Sequence, residues 1–290
     1  MLGDNTNLLS AILVSTEGEY MLLERQRFIS RLFLCPLLLF CWAFDSHAQS
    51  RTAMSVFPLE RDHIFIWVSP GAPEAATLQK MGLYTDGKVH KHVGQGTSSK
   101  VFMFENAYLE LIWVDEPEVA RRKSQEMGTD LLARVAWRQT GASPFGIGLN
   151  NRAAGGSDLP FPTKRYWAEW MKPDTFILIA ESSVNLKEPF YFVVPDYLAV
   201  PSAEQLKQLL DSQPEYRKNF THVLGLRRLT GIKIISSRAG KLSETASMLS
   251  MNRVVAIKRG KSSYAELTFD GGTQGKALDV RPTLPLILKY

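Results

Sequence analysis

Only two of the 290 residues are cysteines, and both, Cys35 and Cys41, fall within the first 48. The rest of the chain therefore has no disulfide, no thiol nucleophile and no thiolate ligand for a metal. Its stability has to come from a packed core, which a chain of this length can supply. Long apolar runs are also scarce. Leu32–Phe44 reaches 13 residues and contains Pro36, short of the ~20 that a membrane-spanning helix needs. Basic residues are in slight excess, 34 against 29 acidic ones, but they form only short clusters such as Arg121-Arg122-Lys123 and Arg227-Arg228. With no basic stripe interleaved with aromatics, nucleic acid is not an expected partner. Ser-His-Asp order, a glycine-rich nucleotide loop ahead of a helix and a zinc-protease helix motif are missing too.

What the amino-terminal region does have is a pattern. A basic segment, Glu24–Arg31, precedes the apolar run, and Ser46-His47-Ala48 puts small residues where a signal peptidase reads. Residues 1–48 are thus expected to be a secretory signal peptide cleaved after Ala48. The product would be periplasmic or extracellular, with no membrane span left. Met21 is the expected start, because Met1–Tyr20 makes the leader unusually long. An uncleaved membrane anchor is the alternative.

Two seven-residue runs, Asp62–Val68 and Tyr108–Val114, are rich in β-branched and aromatic residues and read as strands. Alternation places His63, Phe65 and Trp67 on one face of the first, opposite Asp62, Ile64, Ile66 and Val68. In the second, Tyr108, Glu110, Ile112 and Val114 share a face. An imidazole and a carboxylate inside apolar strands each need a hydrogen bond, a counter-charge or a metal, because burial without a partner costs several kcal/mol.

Between these runs the pattern gives a short helix at 75–81 and strands at 88–94 and 100–105, so 62–114 reads strand, helix, strand, strand, strand. Gly94-Gln95-Gly96-Thr97 reads as a turn, or as a backbone nest for an anion. Asp115-Glu116-Pro117-Glu118 opens a helix that Gly128-Thr129-Asp130 interrupts. A strand at 144–149 leads into a loop over 150–163, long enough to be a lid or binding loop. Tyr166–Met171 packs over the sheet or walls a pocket, and two strands follow at 175–180 and 189–195. Ser202 and Gln205 form a capping box. The order strand, helix, strand, strand, strand recurs over 229–289, and two such units facing each other would enclose one cleft.

Asp62-His63, His92-Val93-Gly94-Gln95-Gly96-Thr97 and Asn106-Ala107-Tyr108-Leu109-Glu110-Leu111 resemble the glyoxalase-like branch of the vicinal oxygen chelate superfamily. Leu267–Gly272 and Leu278–Pro282 are similar to it as well. The resemblance implies an α+β fold of paired βαβββ modules, glyoxalase/bleomycin resistance/dioxygenase-like. The domain would run over 60–290, with modules at about 60–115 and 226–290 and a central insertion at 116–225. It implies a divalent metal (Mn, Fe, Ni or Zn) held by His63 and Glu110, whose side chains should converge to within about 5 Å. Glu110 would be the catalytic group, in lyase, isomerase or dioxygenase chemistry on a small molecule. Phe65, Trp67, Tyr108, His92 and Gln95 are the expected substrate contacts. The second module departs from the family: Leu229-Thr230-Gly231-Ile232 carries no His, and Pro285-Leu286 stands where a carboxylate is wanted. His90, His92 or His222 could complete the site. The alternative is a non-catalytic small-molecule binding or sequestering protein without metal. A homodimer is an open assembly, and an exported enzyme would meet little glutathione.

Overall fold

A computed structural model describes residues 57–152, 159–237 and 240–290, so the signal-peptide segment lies outside the described residues. The chain opens with β1 (Leu59–Trp67), α1 (Ala75–Lys80), β2 (His90–His92), β3 (Thr97–Phe104) and β4 (Ala107–Val114). β1 lies parallel to β4, with His63 opposite Tyr108 and Phe65 opposite Glu110. A parallel pair needs a crossover connection, and α1, β2 and β3 supply it. β2, β3 and β4 then pair in antiparallel succession.

α2 (Pro117–Met127) starts with proline in its first turn and stops at Gly128, which takes the left-handed conformation at φ 70. α3 (Leu131–Val135) restarts on Asp130, whose side chain accepts from the Ala133 amide, and α4 (Trp137–Thr140) follows. Next come β5 (Phe145–Asn151), β6 (Thr163–Tyr166), β7 (Ile177–Ala180) and β8 (Phe190–Val193). β5 runs parallel to β8, while β6, β7 and β8 pair in antiparallel succession. Because β1 and β5 pair antiparallel, one eight-stranded sheet results, in the order β2-β3-β4-β1-β5-β8-β7-β6. That sheet is curled. Gln95, beside β2 at one edge, accepts a hydrogen bond from Tyr166 of β6 at the other.

After α5 (Ala203–Ser212), which the expected Ser202–Gln205 capping box starts, a second sheet forms. It contains β9 (Leu229–Ser236), β10 (Ala256–Arg259), β11 (Tyr264–Phe269), β12 (Ala277–Asp279) and β13 (Leu286–Lys289), with α6 (Glu244–Met251) between β9 and β10. The α+β class thus holds, but the division of the chain differs from expectation. Residues 226–290 do not extend the first sheet. Their strand order is β10-β9-β11-β13-β12, with β10 parallel to β9 across α6. The strands that continue the first sheet come from 145–193, inside the stretch read as an insertion. Sequence order misleads here because β6, β7 and β8 are only four residues each, so the second half of the sheet carries little hydrophobic period.

The space between the sheets is also not a cleft. Ile64, Ile66, Leu109, Leu111, Phe145 and Ile147 from one side meet Ile232, Ile234, Leu267, Leu286 and Leu288 from the other in a continuous apolar core. Full burial of each such side chain is worth about 1.5–3 kcal/mol, so this layer is the main source of stability. The other, concave face of the large sheet carries Phe65, Trp67, Ile112, Phe190 and Phe192, covered by Met127, Leu131, Tyr166 and Met171. Among the described residues no helix is long and apolar enough to cross a membrane.

Candidate functional site on the concave face

His63 and Glu110 meet on this concave face. His63 Nε2 lies 3.8 Å from Glu110 Oε2, and His92 Nε2 lies 3.8 Å from Glu110 Oε1. Both separations exceed a hydrogen bond. Among the described residues the Glu110 carboxylate has no hydrogen-bond donor nearer than these imidazoles, although the residue is only 8% exposed. The gap between His63 and Glu110 falls within the roughly 4 Å that two ligands at about 2.0–2.2 Å span across one ion.

Three features hold the His63 ring. It stacks on Tyr108, with centroids 4.2 Å apart and planes at 13°. Phe192 of β8 meets it edge-on at 5.2 Å. Beneath it is Gly148, where a Cβ would sit 2.3 Å from His63 Cε1. Gly146 does the same for Phe65, whose ring would be 2.1 Å from an added Cβ. Two glycines spaced by two on β5 therefore let the β1 rings lie flat across the neighbouring strand.

Asp62 departs from simple alternation. The β1–β5 register shifts between Arg61 and His63, so Asp62 is the extra residue of a bulge, and a bulge re-aims a side chain. Its Oδ1 accepts from His63 Nδ1 at 2.6 Å, and its Oδ2 accepts from the Val200 amide at 2.7 Å. A carboxylate on Nδ1 places the proton there and leaves the Nε2 lone pair facing Glu110, the arrangement found behind metal-binding histidines. Asp62 is fully buried.

His92 is oriented differently. Trp170 Nε1 and Tyr166 Oη both donate to Gln95 Oε1 at 3.2 Å. An indole nitrogen only donates, which fixes the Gln95 amide with its Nε2 toward Thr97 Oγ1, 2.9 Å away. Thr97 Oγ1 in turn lies 2.8 Å from His92 Nδ1. Burial pushes the His92 imidazole below its ordinary value; Glu110 pulls the other way with a weaker effect. The Tyr108 hydroxyl is pushed well up, first by burial and then by Asp62 and Glu110.

Of the expected substrate contacts, Tyr108, His92, Phe65 and Trp67 all reach the concave face, and Gln95 closes its rim. The Gln95 amide N–H is taken by His92 O, closing the turn between β2 and β3. His222 lies elsewhere, its Nδ1 accepting from the Tyr84 amide and its Nε2 donating to Met103 O. Alternation on β5 puts Asn150 on the His63 side of the sheet, two residues beyond Gly148. It is 2% exposed, and among the described residues neither amide atom has a partner. The indole N–H of Trp67 also lacks an acceptor. Asn150, Asp62 and Gly148 were not legible as site residues, since nothing in local composition marks them.

Among the described residues no group of three or more His, Cys, Asp or Glu is arranged to hold a metal ion. His63, Glu110 and His92 are the polar groups that meet on this face. Two surface pockets lie elsewhere: one of about 800 Å³ beside Ser124, Met127 and Lys164, another of about 520 Å³ beside Leu206, Phe220 and Arg227. Neither contains the His63–Glu110 pair, beside which Trp170 packs on the His92 ring with centroids 5.0 Å apart.

No family model matches the chain, and no curated protein matches it. Among solved structures it is similar to a hypothetical protein from Staphylococcus aureus, at 12% identity, covering 80% of this chain and 98% of that one with a TM-score of 0.41. A likeness at that level carries no argument about function.

Proposed function

We propose that the chain is a glyoxalase-like member of the vicinal oxygen chelate superfamily that binds a small molecule on the concave face, with a divalent metal held by His63 and Glu110. The observation that carries this reading is the Glu110 carboxylate, 3.8 Å from two imidazoles and, among the described residues, without a nearer donor, facing the lone-pair nitrogen of an Asp62-oriented histidine. Such a pair can share a cation or a proton between its members. The matching strand pairings of 59–114 and 145–193 support two related halves of one curled sheet, with 145–193 as the counterpart of the first module.

A bound divalent ion would supply Lewis acidity toward a ligand oxygen. Asp62 holds the His63 ring in its tautomer, Glu110 is the group able to accept a proton, and Trp170 packs against His92. The second sheet half contributes Gly148 and Phe192 near His63 rather than further ligands, which favours a second reading: a binding or sequestering protein without chemistry. Residues 1–48 are kept as an export signal, testable by amino-terminal sequencing of secreted protein; a start at Met1 or Met21 would contradict it.

The metal reading is tested by thermal melting of the 49–290 protein with added Mn, Fe, Ni or Zn. An ion bound only by the folded state raises the melting point. At 100-fold excess over Kd the gain is about 2.7 kcal/mol, and both His63→Ala and Glu110→Gln remove it while the proteins stay folded. Melting points unmoved by every metal would leave only the binding reading.

A further inference from the structure

The relay from Tyr166 and Trp170 to His92 assigns a role that a count of metal ligands does not. We propose that His92 is the hydrogen-bond donor of the site, its Nε2–H offered to a hydroxyl of the bound molecule that lies against Glu110. The inference rests on Glu110 being the functional carboxylate, as argued above.

The direction of the relay follows from donors and acceptors alone. Trp170 can only donate, so Gln95 presents oxygen to it and its NH2 group to Thr97. Thr97 Oγ1 thereby accepts one hydrogen bond and still has its own proton to place. It is 1% exposed, so water cannot take that proton. Among the described residues, His92 Nδ1 at 2.8 Å is the remaining partner recorded for that hydroxyl. If Thr97 donates to Nδ1, the neutral imidazole carries its hydrogen on Nε2. That nitrogen faces Glu110 Oε1 across 3.8 Å, too far for a direct bond. A hydroxyl set beside this pair accepts from His92 and donates to the carboxylate. A carbonyl satisfies only the first, and an anion is repelled by Glu110. The ligand class is therefore an uncharged molecule bearing an alcohol or enol hydroxyl, with an apolar remainder against Phe65, Phe190 and Phe192.

Thr97 and Gln95 are positioning residues in this scheme, acting through His92. They also tie the site to the seam of the curled sheet, because Tyr166 and Trp170 come from the far edge. A molecule that enters by lifting Trp170 removes one of the two donors fixing Gln95, so entry and the state of His92 are coupled.

The test is the nitrogen-15 spectrum of the histidine rings in metal-free 49–290 protein at about pH 8, above the imidazole range. The wild-type His92 is expected to show a protonated-type shift at Nε2 and a lone-pair-type shift at Nδ1. Thr97→Val, which keeps the shape and removes the hydroxyl, should move the population toward the Nδ1–H form, and Thr97→Ser should restore the wild-type pattern. If Thr97→Val does not fold, Gln95→Ala is read instead. It frees Thr97 to accept from His92, and the two tautomers should then mix. A wild-type His92 protonated at Nδ1 overturns the proposal, as does a tautomer indifferent to these replacements. Since no metal is present, a failure of metal binding leaves this result untouched.

Discussion

At the scale of single residues, polar groups that interrupt an apolar pattern are where the candidate site was legible. His63 and Glu110 stand out because strands of that composition do not bury a charge or an imidazole without cause, and both reach the same 3.8 Å contact. Asp62 did not stand out, because period-2 alternation assigns it to the opposite face and only the bulge brings it round. Asn150 was invisible for another reason: an Asn near a strand end reads as a boundary. It is instead a buried amide with no partner among the described residues. Replacing it by Leu, similar in shape and free of the unpaired groups, is expected to stabilise the free protein by roughly 1–2 kcal/mol, because an unsatisfied buried polar group costs about that much. Urea unfolding midpoints check this; a destabilised Asn150→Leu protein would mean that the amide is satisfied in the fold.

Among the elements, β4 (Ala107–Val114) and β11 (Tyr264–Phe269) followed from their alternation, and α5 (Ala203–Ser212) from its capping box. β6 (Thr163–Tyr166) and β12 (Ala277–Asp279) did not: each is short and largely exposed, so neither carries a hydrophobic period. The pairing of β1 with β5 was equally hidden, since strand neighbours are chosen by three-dimensional packing. Glycine is the trace it leaves. Gly148→Ala would put a Cβ 2.3 Å from the His63 ring, and backbone on both strands prevents an easy retreat. A loss of about 1–3 kcal/mol is expected, the usual cost of overpacking, together with loss of any metal-induced rise in melting point. Gly240→Ala, with open space around the added carbon, is the control. Equal stability of Gly148→Ala and Gly240→Ala would show that β5 does not hold the imidazole in place.

For the molecule as a whole, two layers divide the labour. The apolar core between the sheets holds the fold, and the concave face of the larger sheet is left to carry buried polar groups. That division has a pH signature. Burial keeps His90, His92 and His222 below the ordinary imidazole value of 6.5. The unfolded chain then takes up protons that the folded chain refuses, so stability is complete above about pH 6.5 and declines as pH falls through and below it. His222 sits away from the site and bridges Tyr84 and Met103, so it can be changed separately. Urea unfolding from pH 7.5 down to about pH 5.5 should show a slope of up to about 1.4 kcal/mol per pH unit for each such histidine. His222→Asn should reduce the total slope by one proton's share; an unchanged slope would mean that His222 titrates alike in both states.

The central claim is that His63 and Glu110 share a cation, and anomalous scattering from crystals of the 49–290 protein soaked in Mn or Zn reads it most directly. The account predicts one strong peak on the concave face, about 2.0–2.2 Å from both His63 Nε2 and a Glu110 carboxylate oxygen, and its disappearance in crystals of Glu110→Gln. A map with no peak there, while the two side chains keep their 3.8 Å separation, would contradict it.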